Sequence, residues 1–70
     1  MDWFVYMVKG SDDSLYTGIS PNVEKRVDLH NRGLGAKSLR GKRPVILVYK
    51  EKFKNRSEAS KREGEIKNFS

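Results

Sequence analysis

Residues 3–19 read WFVYMVKGSDDSLYTGI, and this stretch decides the fold. Two apolar runs rich in β-branched and aromatic residues flank a polar loop, a pattern typical of a β-hairpin. Tyr6 lies in the first run and Tyr16 in the second, with Gly18 shortly after. Strand side chains alternate between faces, so an odd loop such as Ser11–Asp13 places both phenols on one face, whereas an even loop separates them. The sequence leaves both arrangements open.

The chain is short and basic. Its 70 residues carry 15 Lys and Arg against 9 Asp and Glu, a formal net charge of +6. This balance favours a polyanionic partner, nucleic acid before membrane. The absence of cysteine excludes disulfides and thiolate zinc sites. No signal peptide or membrane span is recognisable, so we expect one cytoplasmic domain over residues 1–70 without membrane association.

Four cations and no acid occupy residues 37–43, which we call the basic segment. They are Lys37, Arg40, Lys42 and Arg43. Surface charge also keeps small proteins soluble, and that interpretation stays open. Clustering without interspersed acids favours contact with phosphates, so we predict that these four side chains bind the nucleic-acid backbone.

Helix and strand signals alternate after the hairpin. Ser20 and Pro21 fit a helix start, and Gly33 and Gly35 fit its end. The predicted elements are a helix over residues 21–32, a helical turn over residues 36–39, a strand over residues 45–53 and a helix opened by a capping box at Asn55. This order predicts a mixed α/β protein with helices packed on a three-stranded sheet.

Arg26 and His30 are four residues apart on the first predicted helix and therefore share one face. Both border an apolar stripe formed by Val23 and Val27, which places them near the sheet. A lone histidine at an apolar edge is more often structural than functional. An arginine beside it strengthens the functional interpretation, because a guanidinium can contact phosphate through two hydrogen bonds.

Glu63 lies where the final helix calls for an apolar residue. The other members of that inward stripe are Ala59, Ile66 and Phe69. A carboxylate there must be paired or bound, because burying it alone is costly. It either forms an ion pair with Arg26 or Lys67, or it binds a divalent cation such as Mg²⁺.

Two phenols, an arginine, a histidine and an inward carboxylate together make a set that can hydrolyse phosphodiesters. The arginine would hold a phosphate oxygen, a tyrosine or histidine would take a proton from water, and a metal would offset the phosphate charge. The chain contains no phosphate-binding glycine loop, dinucleotide fingerprint, Ser/His/Asp set or zinc motif. Those classes of enzyme are therefore excluded.

The chain resembles the GIY-YIG endonuclease superfamily in the order and spacing of five positions. They are Tyr6 within FVY, Tyr16 within YTG, Arg26, His30 and Glu63. The segments LYTGIS, GLGAKSLRGKRPV and NRSEASKREGEIK resemble more closely the small stand-alone bacterial branch, an uncharacterised family. The resemblance covers nearly the whole chain.

This resemblance implies a three-stranded antiparallel sheet and a metal-dependent DNA endonuclease with a single Mg²⁺ or Mn²⁺ ion, of structure-specific type in DNA repair or recombination. Tyr6 would then activate water or relay its proton, and Tyr16 would position water and phosphate. Arg26 would stabilise the phosphorane charge, His30 would assist proton transfer, and Glu63 would hold the metal. We expect a monomer that acts on DNA, and a targeting protein is a further expected partner. The chain would lack the C-terminal basic extension that is usual in relatives.

Two other interpretations stay open. The first is a catalytically silent DNA- or RNA-binding module that uses the same basic segment. The second is a small ribosome- or RNA-associated protein with a purely electrostatic role. The sequence also leaves open whether Tyr6 or His30 takes the proton.

Overall fold

The computed structural model describes residues 1–68, so Phe69, predicted on the inward stripe of the last helix, lies outside the described residues. The elements are β1 (Trp3–Lys9), β2 (Leu15–Ser20), α1 (Val23–Asn31), a 3₁₀ helix (Lys37–Lys42), β3 (Ile46–Phe53) and α2 (Arg56–Lys67). The predicted order of elements and the mixed α/β class are confirmed. Within residues 1–68, no helix has the length and apolar character needed to span a membrane.

A three-residue loop, Ser11–Asp13, closes the hairpin. Gly10 donates its N–H to the carbonyl of Ser14 at 2.8 Å, and Asp13 donates to the carbonyl of Gly10 at 3.0 Å. Asp13 takes a φ of 67°, the left-handed conformation that follows a type I turn in loops of this length. The loop is therefore the odd one of the two alternatives.

The odd loop sets the register of the hairpin. Tyr6 is opposite Gly18, and Val8 is opposite Tyr16. Residues two apart on a strand share a face, and so do residues directly opposed across a pair. Both phenols therefore lie on the same face of the sheet.

The two long helices cover opposite faces of an antiparallel sheet with strand order β2-β1-β3. Tyr6 is opposite Lys50 of β3, whose ammonium lies 3.2 Å from the carboxylate of Glu24 in α1. The next residue of β3, Glu51, lies 3.1 Å from Arg62 of α2. Because successive side chains alternate, α1 covers the face that carries Tyr6 and α2 covers the other.

The main core lies between the Tyr6 face, α1 and the 3₁₀ helix. Its buried members are Tyr6, Val8, Val23, Leu39 and Val45. Leu39 belongs to the 3₁₀ helix, so the core anchors the basic segment on the same face as Tyr6. Asn31 at the end of α1 fixes the far side of this segment, because its amide exchanges two hydrogen bonds, of 3.1 and 2.7 Å, with the backbone of Val45.

Helix α1 begins two residues later than predicted. Asn22, and not Ser20, is the cap, and its side chain accepts the N–H of Lys25 at 3.1 Å. Ser20 ends β2 instead, where its hydroxyl donates to the carbonyl of Asn22 and accepts that residue's N–H. A serine side chain that hydrogen-bonds to the backbone two residues ahead forms a turn. Residues 21 and 22, which were predicted to begin the helix, lie in this turn.

Candidate active site

Tyr6 is the centre of the candidate active site. A Cβ at position 18 would lie 2.8 Å from the Tyr6 hydroxyl, so glycine there leaves the space that the ring fills above β2. The side chain is 1% exposed, and its hydroxyl lies 2.9 Å from Nε2 of His30. The strand register, the absence of a side chain at Gly18 and the burial of the ring together place the Tyr6 hydroxyl against α1.

Burial and Arg26 have opposite effects on the acidity of that phenol. Burial raises the pKa of Tyr6, because desolvation disfavours the phenolate. A hydrogen bond from Arg26 opposes this rise, while the neighbouring Tyr16 and Glu63 add to it. The guanidinium is therefore placed to stabilise negative charge on the Tyr6 oxygen.

His30 joins the two phenols. It is 1% exposed, and its ring meets that of Tyr16 edge-on with centroids 5.5 Å apart. Its Nδ1 accepts the backbone N–H of Ala36 at 3.2 Å. Burial lowers the pKa of His30, and the charge of Arg26 lowers it further. The ring is consequently neutral at neutral pH.

Glu63 approaches from α2, on the other face of the sheet. Its side chain is 23% exposed and lies 3.4 Å from the ammonium of Lys67, so one of the two predicted ion pairs is present. No ion pair joins Glu63 to Arg26 in the part of the chain that the structure describes. Ile66, one turn later, lines a cleft together with Tyr16 of edge strand β2. This side of α2 therefore borders the strand that carries the second phenol.

The structure thus brings four predicted residues into one cluster, whereas Glu63 lies on α2 across the sheet. The cluster consists of Tyr6, Tyr16, Arg26 and His30. The charge of Glu63 is a minor cause of the raised pKa of Tyr6, after burial. No three His, Cys, Asp or Glu side chains among residues 1–68 are grouped so that they could hold a metal ion between them. A metal at this site would depend on one carboxylate, water and the phosphate itself.

The basic segment is only partly available to a ligand. Lys42 lies 3.8 Å from Asp12 of the hairpin loop, so the fold supplies an acid that the segment itself lacks. Arg43 donates its Nε–H to the carbonyl of Arg40 at 2.9 Å. Lys37 and the Arg40 side chain are exposed and make no ion pair within the described range. These two side chains are the best placed to meet phosphates.

Gly35 and Ala36 contact the site, although neither was predicted to do so. A Cβ at position 35 would collide with the imidazole of His30, and Ala36 supplies the donor to Nδ1. The only signal in the sequence is a second glycine just after the helix stop at Gly33. That pattern indicates a turn and says nothing about which side chain packs on it.

Comparison with known proteins places this chain in a family. The model of the GIY-YIG catalytic domain matches residues 2–70. A UPF0213 protein of Staphylococcus haemolyticus is 57% identical over 67 residues, which cover 96% of this chain and 82% of the relative. A UPF0213 protein of Staphylococcus aureus, strain Mu3, is 58% identical over 66 residues, or 94% and 80% of the two chains.

A solved structure agrees with these matches. The solution NMR structure of UPF0213 protein BH0048 from Bacillus halodurans has a TM-score of 0.62 and 38% identity, over 100% of this chain and 74% of that one. The chain belongs to the GIY-YIG family, and its fold is that of a nuclease-type catalytic domain. Within that family it is similar to the UPF0213 proteins, so the resemblance drawn from the motifs is confirmed.

Proposed function

We propose that this protein is a metal-dependent DNA endonuclease that hydrolyses phosphodiester bonds. The observation that carries the proposal is the buried Tyr6 hydroxyl, which lies 2.9 Å from Nε2 of His30 and near Arg26, whose charge favours the phenolate. A phenol oxygen that contacts an imidazole and lies near a guanidinium is better placed to carry negative charge than an ordinary core tyrosine is. The family match to a catalytic domain supports the same conclusion.

In the proposed reaction, the Tyr6 phenol first gives its own hydroxyl proton to solvent, and the resulting phenolate takes the proton of the attacking water. Arg26 stabilises that phenolate and offsets the charge that develops on the phosphorane. Tyr16, whose ring meets the edge of His30, orients water and phosphate. Hydrogen bonds already in place before the substrate arrives need no reorganisation during the reaction, which is the main advantage of such a site.

Glu63 fits a site for Mg²⁺ or Mn²⁺. Its donor set is one half-buried carboxylate, and Mg²⁺ commonly takes one or two protein carboxylates while keeping several waters and binding substrate phosphate. Such an ion, when bound, would offset negative charge on the phosphate. Lys67 lies 3.4 Å from the same carboxylate, so its ammonium and the ion would compete for Glu63.

DNA is the proposed substrate because the exposed cations lie beside the cluster. Leu39 anchors the basic segment in the core that contains Tyr6, which puts Lys37 and Arg40 on the same face of the sheet as the phenol. Phosphate contacts there would position a backbone over the site without reading its sequence. We extend the proposal to branched or flapped DNA, as cut in repair or recombination, on the superfamily resemblance.

The test replaces Glu63 by glutamine and measures nicking of flapped DNA in Mg²⁺ and Mn²⁺. We expect Glu63→Gln to lose cleavage while its Kd for DNA stays near the wild-type value. Glu65→Gln is the matched control, because Glu65 lies on the same helix and pairs with Arg62 at 3.2 Å. Cleavage that survives Glu63→Gln would reject the proposed metal ligand, and loss of cleavage in Glu65→Gln as well would show that the effect is not specific to position 63.

A second candidate is a nucleic-acid-binding module without cleavage. The ion pair between Glu63 and Lys67 favours it, since an ammonium already balances the carboxylate. A metal titration followed by NMR separates the two candidates. Shifts confined to Tyr6, Tyr16 and Glu63 favour the enzyme, whereas DNA binding with no metal-induced shifts favours the module.

A further inference from the structure

Both ring nitrogens of His30 have partners. Nδ1 accepts the backbone N–H of Ala36 at 3.2 Å, and Nε2 lies 2.9 Å from the hydroxyl of Tyr6. A neutral imidazole carries one N–H, and a nitrogen that accepts a hydrogen bond cannot carry it. The proton of His30 must therefore be on Nε2, where it faces the Tyr6 oxygen.

We propose that the turn at residues 33–36 fixes His30 as the Nε2–H tautomer, so that His30 donates to the Tyr6 oxygen and takes no proton from it. Gly35 and Ala36 are then positioning residues of the site, since they act through His30. The catalytic meaning of this arrangement rests on the proposed function, whereas the tautomer itself does not.

The turn is built by the way α1 ends. Gly33, with a φ of 78°, donates its N–H to the carbonyl of His30 at 3.1 Å, and Leu34 donates to the carbonyl of Leu29 at 2.9 Å. These two bonds form a Schellman motif, which reverses the chain after the last helical turn. The reversal carries the following backbone onto the His30 ring.

Gly35 has no conformational reason to be glycine, because among the described glycines only Gly33 has a positive φ. The reason is space, since a Cβ at 35 would collide with the imidazole of His30. With the ring against this backbone, the N–H of Ala36 reaches Nδ1. Gly35 thus determines where the imidazole lies, and the N–H of Ala36 determines which ring nitrogen carries the proton.

The alternative states of the ring are disfavoured for separate reasons. The Nδ1–H tautomer would point one N–H at another, that of Ala36. Protonation would do the same and would add a second cation beside Arg26, in agreement with the lowered pKa of His30. With the Nε2–H of His30 directed at it, the Tyr6 oxygen must direct its own proton away from His30.

The first experiment needs neither DNA nor metal. The chain contains one histidine, so ¹⁵N-histidine labelling and a long-range ¹H–¹⁵N correlation report His30 alone. We expect a pyridine-type shift at Nδ1 and a pyrrole-type shift at Nε2 near neutral pH. A pyrrole-type Nδ1, or two averaged shifts, would overturn the proposal.

The second experiment tests the turn. Gly35→Ala should shift both nitrogen signals towards averaged values, whereas Gly41→Ala, at a position with no atom near the added methyl, should leave them unchanged. Unchanged signals in Gly35→Ala would contradict the positioning role of Gly35. If Gly35→Ala does not fold, an ester bond in place of the Ala36 amide removes the N–H without adding bulk and should lead to the same averaging, and unchanged signals there would contradict the role of Ala36.

The two proposals fail separately. A fixed Nε2–H tautomer in a protein that binds DNA but never cleaves it would remove the proposed function and leave the tautomer in place. Cleavage by a protein whose His30 carries its proton on Nδ1 would do the reverse.

Discussion

Tyr6 and Gly18 are opposed in the hairpin, and the ring of Tyr6 fills the space that a side chain at position 18 would need. The same pairing that aligns β1 with β2 therefore also sends the phenol across the sheet to His30. Folding and site geometry depend on one contact.

Gly18→Ala should destabilise the protein. Its Cβ would lie 2.8 Å from the Tyr6 hydroxyl and 2.9 Å from Cζ, so the ring must move. Overpacking of this kind costs about 1–3 kcal/mol of unfolding free energy, measurable from urea midpoints. Gly64→Ala, in an exposed helical position with open space around it, should instead gain about 1 kcal/mol. Equal stability of the two variants would contradict the contact.

Stability should fall as the solution is acidified from about pH 7 to about pH 5. The pKa of His30 is lowered from its usual 6.5 by burial and by Arg26, so below that value the unfolded chain binds a proton that the folded protein does not. The slope for one proton is at most about 1.4 kcal/mol per pH unit. The pKa values of Asp12, Glu24 and Glu51 are lowered as well, which confines their effects to more acidic solutions.

Urea unfolding of His30→Gln provides the control for this pH dependence. The variant should be less stable than the wild-type protein at about pH 7 but nearly flat across the same interval. A wild-type slope that persists in His30→Gln would assign the acid sensitivity to another group.

Removing the two exposed cations of the basic segment should weaken DNA binding and its salt dependence. Each phosphate contact contributes about 0.9 to the slope of log K against log salt, so Lys37→Gln with Arg40→Gln should reduce the slope by about 2. The other two, Lys42 and Arg43, are engaged by Asp12 and by backbone, and they should contribute less. Fluorescence anisotropy at several salt concentrations measures the slope.

The matched control removes two exposed cations elsewhere, with Lys54→Gln just before α2 and Lys61→Gln within it. This variant should keep nearly the wild-type slope. The opposite ranking of the two double variants would move the DNA-binding surface to α2.

Most of the fold follows from local patterns in the sequence. Alternating apolar runs, the stop at Gly33 and the cap at Asn55 were each sufficient to predict an element, and the side chain of Asn55 accepts the N–H of Glu58 at 2.9 Å as expected. The start of α1 was wrong because two capping residues, Ser20 and Asn22, compete within one short stretch. Which of the two residues caps the helix depends on where β2 ends, and the pairing of β2 with β1 determines that end.

The clustering of Tyr6, Tyr16, Arg26 and His30 was predictable from the sequence, but the hydrogen bonds that hold the cluster were not. The spacing of Arg26 and His30 put both on one helical face, and loop parity limited the phenols to two arrangements. Nothing local showed that Ala36 would donate to His30, or that Asp12 would reach Lys42, because these contacts join separate segments after the chain folds. The sequence likewise did not determine whether Arg26 or Lys67 pairs with Glu63.

The most direct test of the account is the single-turnover rate of DNA cleavage by Tyr6→Phe in Mg²⁺. Loss of the proton acceptor should slow the reaction about 10²-fold or more, with the Kd for DNA unchanged. Tyr49→Phe, whose exposed hydroxyl bonds to Glu51 on the α2 face, should cleave at the wild-type rate. Cleavage by Tyr6→Phe as fast as by the wild-type protein would contradict the proposed role of the buried phenol.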